Sequence, residues 1–147
     1  MIIKTFSCSH AVEVKELVIG VLKCEGFEYD SAKDFDLDDI EKYYLKNGGI
    51  FYVGIMDGYI IGTSAVKKID DSKCEIKRIY LKREFRGRGF GKELFLKALK
   101  YAEENYPTIV LKTNVGLKDS INMYIKNSFS AVKKEGQILH FEKKVHY

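Results

Sequence analysis

The chain has 147 residues, 46% of them hydrophobic and 31% charged, which suits one folded domain spanning 1–147 and excludes a low-complexity protein. No apolar run approaches the roughly 20 residues of a membrane span, Met1-Ile2-Ile3-Lys4 lacks a signal-peptide layout, and a net charge of +4 is too mild to argue for nucleic acid. Cys8, Cys24 and Cys74 are widely spaced and form no zinc or disulfide pattern, so a reduced, cytoplasmic setting without metal or membrane is expected.

Met1 to Phe6 reads as a short strand rich in β-branched residues. Ser7 or Ser9 can cap the helix that follows, whose stripe is Val14, Leu17, Val18, Val21 and Leu22, with Gly26 as its stop. From Glu28 to Asp39 the chain is acidic. Asp36 is a candidate cap for a short second helix carrying Leu37, Ile40, Tyr43 and Tyr44. This segment reads either as a solvated, capping loop or as a patch that attracts a cationic amine. Asn47-Gly48-Gly49 is a turn. Ile50 to Met56 and Tyr59 to Lys68 are strands joined by Asp57-Gly58, a two-residue hairpin signal. Cys74 to Leu81 is the next strand. A helix from about Gly89 to Glu104 follows, then a strand over Thr108 to Asn114 and a helix over Leu117 to Asn127. Ala131 to Lys134 and Ile138 to Lys144 close the chain as a strand pair. The order is β-α-α-β-β-β-α-β-α-β-β.

Arg86-Gly87-Arg88-Gly89-Phe90-Gly91-Lys92 stands between the Cys74–Leu81 strand and its helix. Glycines let the backbone turn sharply and let a ligand approach the amides. The first N–H groups of a helix lack internal partners and carry the positive end of the dipole, so a phosphate fits there. Arg86, Arg88 and Lys92 add charge at the same point. The spacing matches neither a dinucleotide fingerprint nor a Walker A loop.

Arg86-x-x-Gly89-x-Gly91 after a strand resembles motif A of the GNAT superfamily of N-acetyltransferases. Gly48 to Val66 and Tyr124-Ile125-Lys126-Asn127-Ser128-Phe129 are similar to further parts of that pattern. The resemblance implies an α/β fold with a mixed, mostly antiparallel sheet flanked by helices. It also implies acetyl-CoA as co-substrate, with its pyrophosphate on the 86–92 turn. Pantetheine would lie along the strand edge at Ile79, Tyr80 and Leu81. The acceptor would be a small-molecule amine or a peptide or protein amine, attacking directly in a ternary complex. Glu75 becomes the candidate base, with an exposed glutamate paired to Lys77 as the alternative. A free N–H near Tyr80 or Leu81 becomes the oxyanion donor, and Tyr124 the acid for the leaving thiolate, or else a core tyrosine. Strand alternation groups Glu75, Lys77, Ile79 and Leu81 on one face, unless a bulge resets the parity.

The chain departs from the family pattern at Leu117, Ser120 and Ser128, where asparagine, alanine and glycine are usual, and at Arg83, where proline is. Asn114 or Asn122 is a substitute for the missing asparagine. Lys118 and Lys126 reach either phosphate or solvent. A homodimer is open. The competing readings are an acyl-CoA-binding regulator without turnover and a phosphate or RNA binder.

Overall fold

A computed structural model describes residues 1–145. Its centre is a seven-stranded sheet in the order β1-β2-β3-β4-β5-β7-β6. The strands are β1 (Ile2–Thr5), β2 (Ile50–Met56), β3 (Tyr59–Asp70), β4 (Lys73–Leu81), β5 (Thr108–Asn114), β6 (Ser130–Glu135) and β7 (Ile138–Lys144). Neighbours are antiparallel except β4 and β5. A parallel pair needs a long crossover, and helix α3 (Phe90–Asn105) supplies it. The mixed, mostly antiparallel α/β architecture is as expected. β3 runs two residues past the expected Lys68, and, apart from the short second helix, the other strand and helix ends fall within one or two residues of the expected ones.

Each face of the sheet carries its own core. Helix α1 (Ala11–Cys24) lays Val14, Leu17, Val18 and Val21 against Phe51, Val53 and Ala65. Helix α3 lays Phe95, Ala98, Leu99 and Ala102 against Val66, Cys74, Ile76 and Ile109 on the other face. Helix α4 (Lys118–Lys126) adds Tyr124 to that second core. These are the stripes a 3.6-residue period selects.

Local chemistry sets the turns. Asp57 (φ 51°) and Gly58 (φ 82°) both occupy the left-handed region, as a type I′ hairpin requires. Helix α1 ends with Gly26 at φ 83°, its N–H bonded to the Lys23 carbonyl and the Phe27 N–H to that of Leu22, a Schellman cap. Helix α4 ends the same way, with Ser128 at φ 71° in the position glycine favours. The Ser128 and Phe129 N–H groups reach the Ile125 and Tyr124 carbonyls. The serine keeps the cap geometry at a conformational cost of about 1–2 kcal/mol.

Within the acidic segment Asp36 is neither solvated nor a helix cap. Helix α2 (Ile40–Tyr43) is capped by Asp39, whose side chain accepts from the Lys42 N–H at 3.1 Å, not by Asp36. Asp36 is 2% exposed and forks onto Arg78, with Nη2 at 2.6 Å and Nε at 3.0 Å. Asp34 takes the other guanidinium nitrogen at 3.0 Å. Tyr44 donates to Asp36, and Arg78 also donates to the Tyr80 hydroxyl at 3.1 Å. Burial works against Asp36 ionising, but hydrogen bonds from Arg78 and then Tyr44 overcome it and hold its carboxyl below the usual range. The propensity of aspartate for caps yields here to a tertiary cation that must be neutralised wherever it is buried.

Asp36→Ala should therefore lower unfolding free energy by about 3 kcal/mol in urea titration, because it strands a buried guanidinium. A depressed carboxyl stabilises the fold above its unfolded pKa and loses that contribution as pH falls through its folded value. The gap between wild type and Asp36→Ala should thus be constant above about pH 4 and shrink below it. Ser128→Gly should raise stability by about 1 kcal/mol, seen as a higher urea midpoint at unchanged slope.

Candidate active site

β4 and β5 pair only through Lys73–Thr108, Cys74–Ile109 and Glu75–Val110, and then part. The cause lies in β4. Opposite β3, Thr63 pairs with Tyr80 and Ala65 with Lys77, so β4 carries one residue too many. The surplus is a bulge at Arg78, held at φ 57°, where any residue other than glycine is uncommon. A bulge bends its strand, and the Arg78 ion pairs to Asp34 and Asp36 hold it bent.

The parting strands open a cleft of about 990 Å³, lined by residues 75–81 of β4, 111–114 of β5, the glycine turn and the start of α4. The bulge also resets the alternation. Cys74 and Ile76 face the α3 core, and beyond the bulge Ile79 packs there too, while Tyr80 joins the α1 side. Leu81 approaches α3 at Gly91. Ile79 and Leu81 thus leave the face of Glu75 and Lys77, and Arg78 and Tyr80 join it. The alternation that groups Glu75, Lys77, Ile79 and Leu81 fails for that reason, through the bulge that resets its parity.

The Lys82 N–H bonds to the Ile61 carbonyl of β3 at 2.8 Å. Successive residues point their backbone groups to opposite sides of a strand, so those of Leu81 turn to the opened edge. The Leu81 carbonyl there accepts from Arg86 Nε at 3.4 Å. Arg86 also pairs with Glu25 at 3.6 Å across the rim of the cleft.

Gly87 and Gly89 hold φ 80° and 83°, and the first bond of α3 runs from the Glu93 N–H to the Gly89 carbonyl. The amides before Glu93 have no acceptor inside the helix. Arg86, Gly87, Gly89, Gly91 and Lys92 all border the cleft. Arg88 and Phe90 do not: the guanidinium of Arg88 lies over the Phe85 ring at 5.7 Å, and Phe90 is half-buried on the helix. Asn114 borders the cleft, its Oδ1 accepting from the Gly116 N–H at 2.8 Å, whereas Asn122 is exposed on α4 and outside it. Lys118 lines the cleft and Lys126 does not.

Glu75 and Tyr124 border the same cleft. Tyr124 is wedged among Phe95, Phe141 and Phe129, with ring centroids 5.2, 5.9 and 6.3 Å away. Burial pushes its phenol above the ordinary value, against a smaller opposing hydrogen bond from Ser120, so it keeps its proton at neutral pH. Cys74 is buried with its thiol pushed up to about 12, too high for a nucleophile. No cluster of metal ligands occurs among the described residues. Sequence reasoning missed Lys77 and Arg78 as cleft residues, and Leu111, Lys112 and Thr113. No local signal marks them, because the parting of β4 and β5 exposes them.

Residues 17–129 match the Acetyltransferase (GNAT) family. The N-acetylaspartate synthetase of Danio rerio is 32% identical over 106 residues, covering 70% of this chain and 38% of that protein. The chain therefore spans little more than a third of that relative. A GNAT-family acetyltransferase of Staphylococcus aureus Mu50 has the same fold, with a TM-score of 0.85 at 23% identity over 99% of both chains. The PaiA N-acetyltransferase of Thermoplasma acidophilum, solved in complex with coenzyme A, gives a TM-score of 0.71 at 23% identity over 98% of this chain and 99% of that one. With a family match over most of its length, on a sheet that splits beside a glycine-rich helix start, the chain belongs to the GNAT acetyltransferase family.

Proposed function

We propose that the chain transfers an acetyl group from acetyl-CoA to an amine by direct attack in a ternary complex. The observation that carries this reading is the opened β4 edge running into the glycine turn. The described residues suit the co-substrate. Amides without helical acceptors, with Lys92 and Lys118, match a pyrophosphate and nucleotide phosphate. The unpaired edge at Ile79 and Leu81 matches the amides of a pantetheine arm laid down as an added strand.

Bound acetyl-CoA would supply an activated acetyl thioester; the rest is the work of this chain. A protonated alkylamine, with a pKa near 10.4, cannot attack until it loses a proton. Glu75, at the fork of β4 and β5, accepts that proton directly or through water. The outward-turned Leu81 N–H donates to the charge that grows on the carbonyl oxygen. Tyr124 returns a proton to the departing sulfur. Its burial favours the protonated phenol, the form an acid needs. The relatives named N-acetylaspartate synthetases bear an amino acid in their name. The chain spans only a part of their length, so the acceptor rests on this chain's own residues.

Calorimetric titration should show micromolar binding of acetyl-CoA and CoA. Gly89→Glu should weaken it at least a hundredfold, since it puts a side chain at φ 83° and a negative charge beside the phosphates. No binding by the wild type would sink the reading and point to a phosphate or RNA binder. Glu75→Gln should cut kcat by about 10²–10⁴ with the acetyl-CoA Kd unchanged. Tyr124→Phe should also lower kcat more than Kd. Wild-type turnover that both variants retain would remove the assigned roles, and binding with no turnover for any amine would favour the regulatory alternative.

A further inference from the structure

The acetyl-transfer reading leaves the acceptor open, and the charges on the Glu75 face narrow it. Residues directly opposite each other in neighbouring strands share a face. Lys67 of β3 stands opposite Glu75, and Val110 stands opposite it on β5, with Lys112 two residues further along. Lys77 is two residues from Glu75 on β4, roughly 6.6 Å along the strand. Among the described residues, the side chains of Lys67, Lys77 and Lys112 make no ion pair or hydrogen bond.

Glu75 aside, acids of the neighbouring segments are already engaged. Asp34 and Asp36 are bound to Arg78, Asp38 to Lys15 and Tyr29, and Glu142, beyond Val110, to Lys144. Asp34, Asp36 and Asp38 of the acidic segment are therefore taken by cations of this chain and not offered to a polycation. Lys77 lines the cleft half-buried, and burial pushes its ammonium below the ordinary value, opposed by Glu75 and Asp36. A cation placed in a cleft at that cost, without an ion pair of its own, is complementary to an anion brought by a ligand.

We infer that the acceptor is an amine that also carries a carboxylate, an amino acid, with the carboxylate on Lys77 and the amine toward Glu75. The inference rests on the acetyl-transfer reading. The spacing of Glu75 and Lys77 along one strand lets a single small molecule meet both. Lys67 and Lys112 flank the pair and raise the local concentration of acidic ligands.

The test is CoA-thiol release with L-aspartate, L-alanine, L-alaninamide and spermidine as acceptors, on wild type and Lys77→Gln. L-Alanine should exceed L-alaninamide in kcat/KM by tenfold or more. Lys77→Gln should raise KM for the amino acids at least tenfold, erase the acid-over-amide preference and leave the acetyl-CoA Kd unchanged. Lys77→Arg should restore part of the preference. Better turnover of the amide or spermidine, a preference that survives Lys77→Gln, or no turnover of either amino acid would overturn the inference while acetyl-CoA binding still holds. Loss of acetyl-CoA binding in the wild type would instead remove the acetyl-transfer reading, and this inference with it.

Discussion

The arrangement depends on one buried cation. Arg78 occupies a backbone conformation that costs a residue with a Cβ about 1–2 kcal/mol, and it is held there by carboxylates from a distant part of the chain. Asp36 forks onto its guanidinium, Asp34 takes the remaining edge, and Tyr80 and Tyr44 complete the hydrogen bonding. Such a cluster is costly to desolvate and costlier to break. What it secures is geometry: an extra residue in β4, a bend, and two parallel strands that part after Glu75.

The parting leaves an open strand edge inside the fold. A sheet interior normally leaves no backbone donor or acceptor open, and an edge strand invites any extended partner. Here the open edge lies inside the molecule, between β4 and β5, where α3 and α4 shield one face. One end of the opening meets a helix start with amides that lack acceptors, and the other meets a glutamate ringed by lysines. A long ligand with phosphates at one end and a reactive group at the other is matched by that gradient of chemistry along a single groove.

The family's motifs bear different structural loads. Gly87 and Gly89 are required by their positive φ, since a Cβ at either would find open space. Ser128 shows that such a requirement can be met without glycine when the cap's hydrogen bonds remain, so a departure from the motif there changes stability more than architecture.

Signals carried by neighbours in the chain were legible in the sequence. The stripe of α1, the Asp57-Gly58 hairpin, the glycine turn ahead of α3 and the order of strands and helices all follow from periodicity and turn chemistry. Glu75 and Tyr124 were named from the motif, and the structure brings both to one cleft. The parity of β4 beyond Lys77, the burial of Asp34 and Asp36, the exit of Asn122 from the site and the entry of Lys77 and Lys112 were not legible. Each depends on which residues meet across the sheet. A bulge is one residue of mismatch between two strands, and the partner of a buried arginine lies 42 positions away in the Asp36–Arg78 bond. Sequence by itself determined the elements and the glycine-rich turn ahead of α3, because local backbone preference is written residue by residue. Only the tertiary structure decided which side chains share the cleft, because that follows from strand register and from where buried charges find their partners.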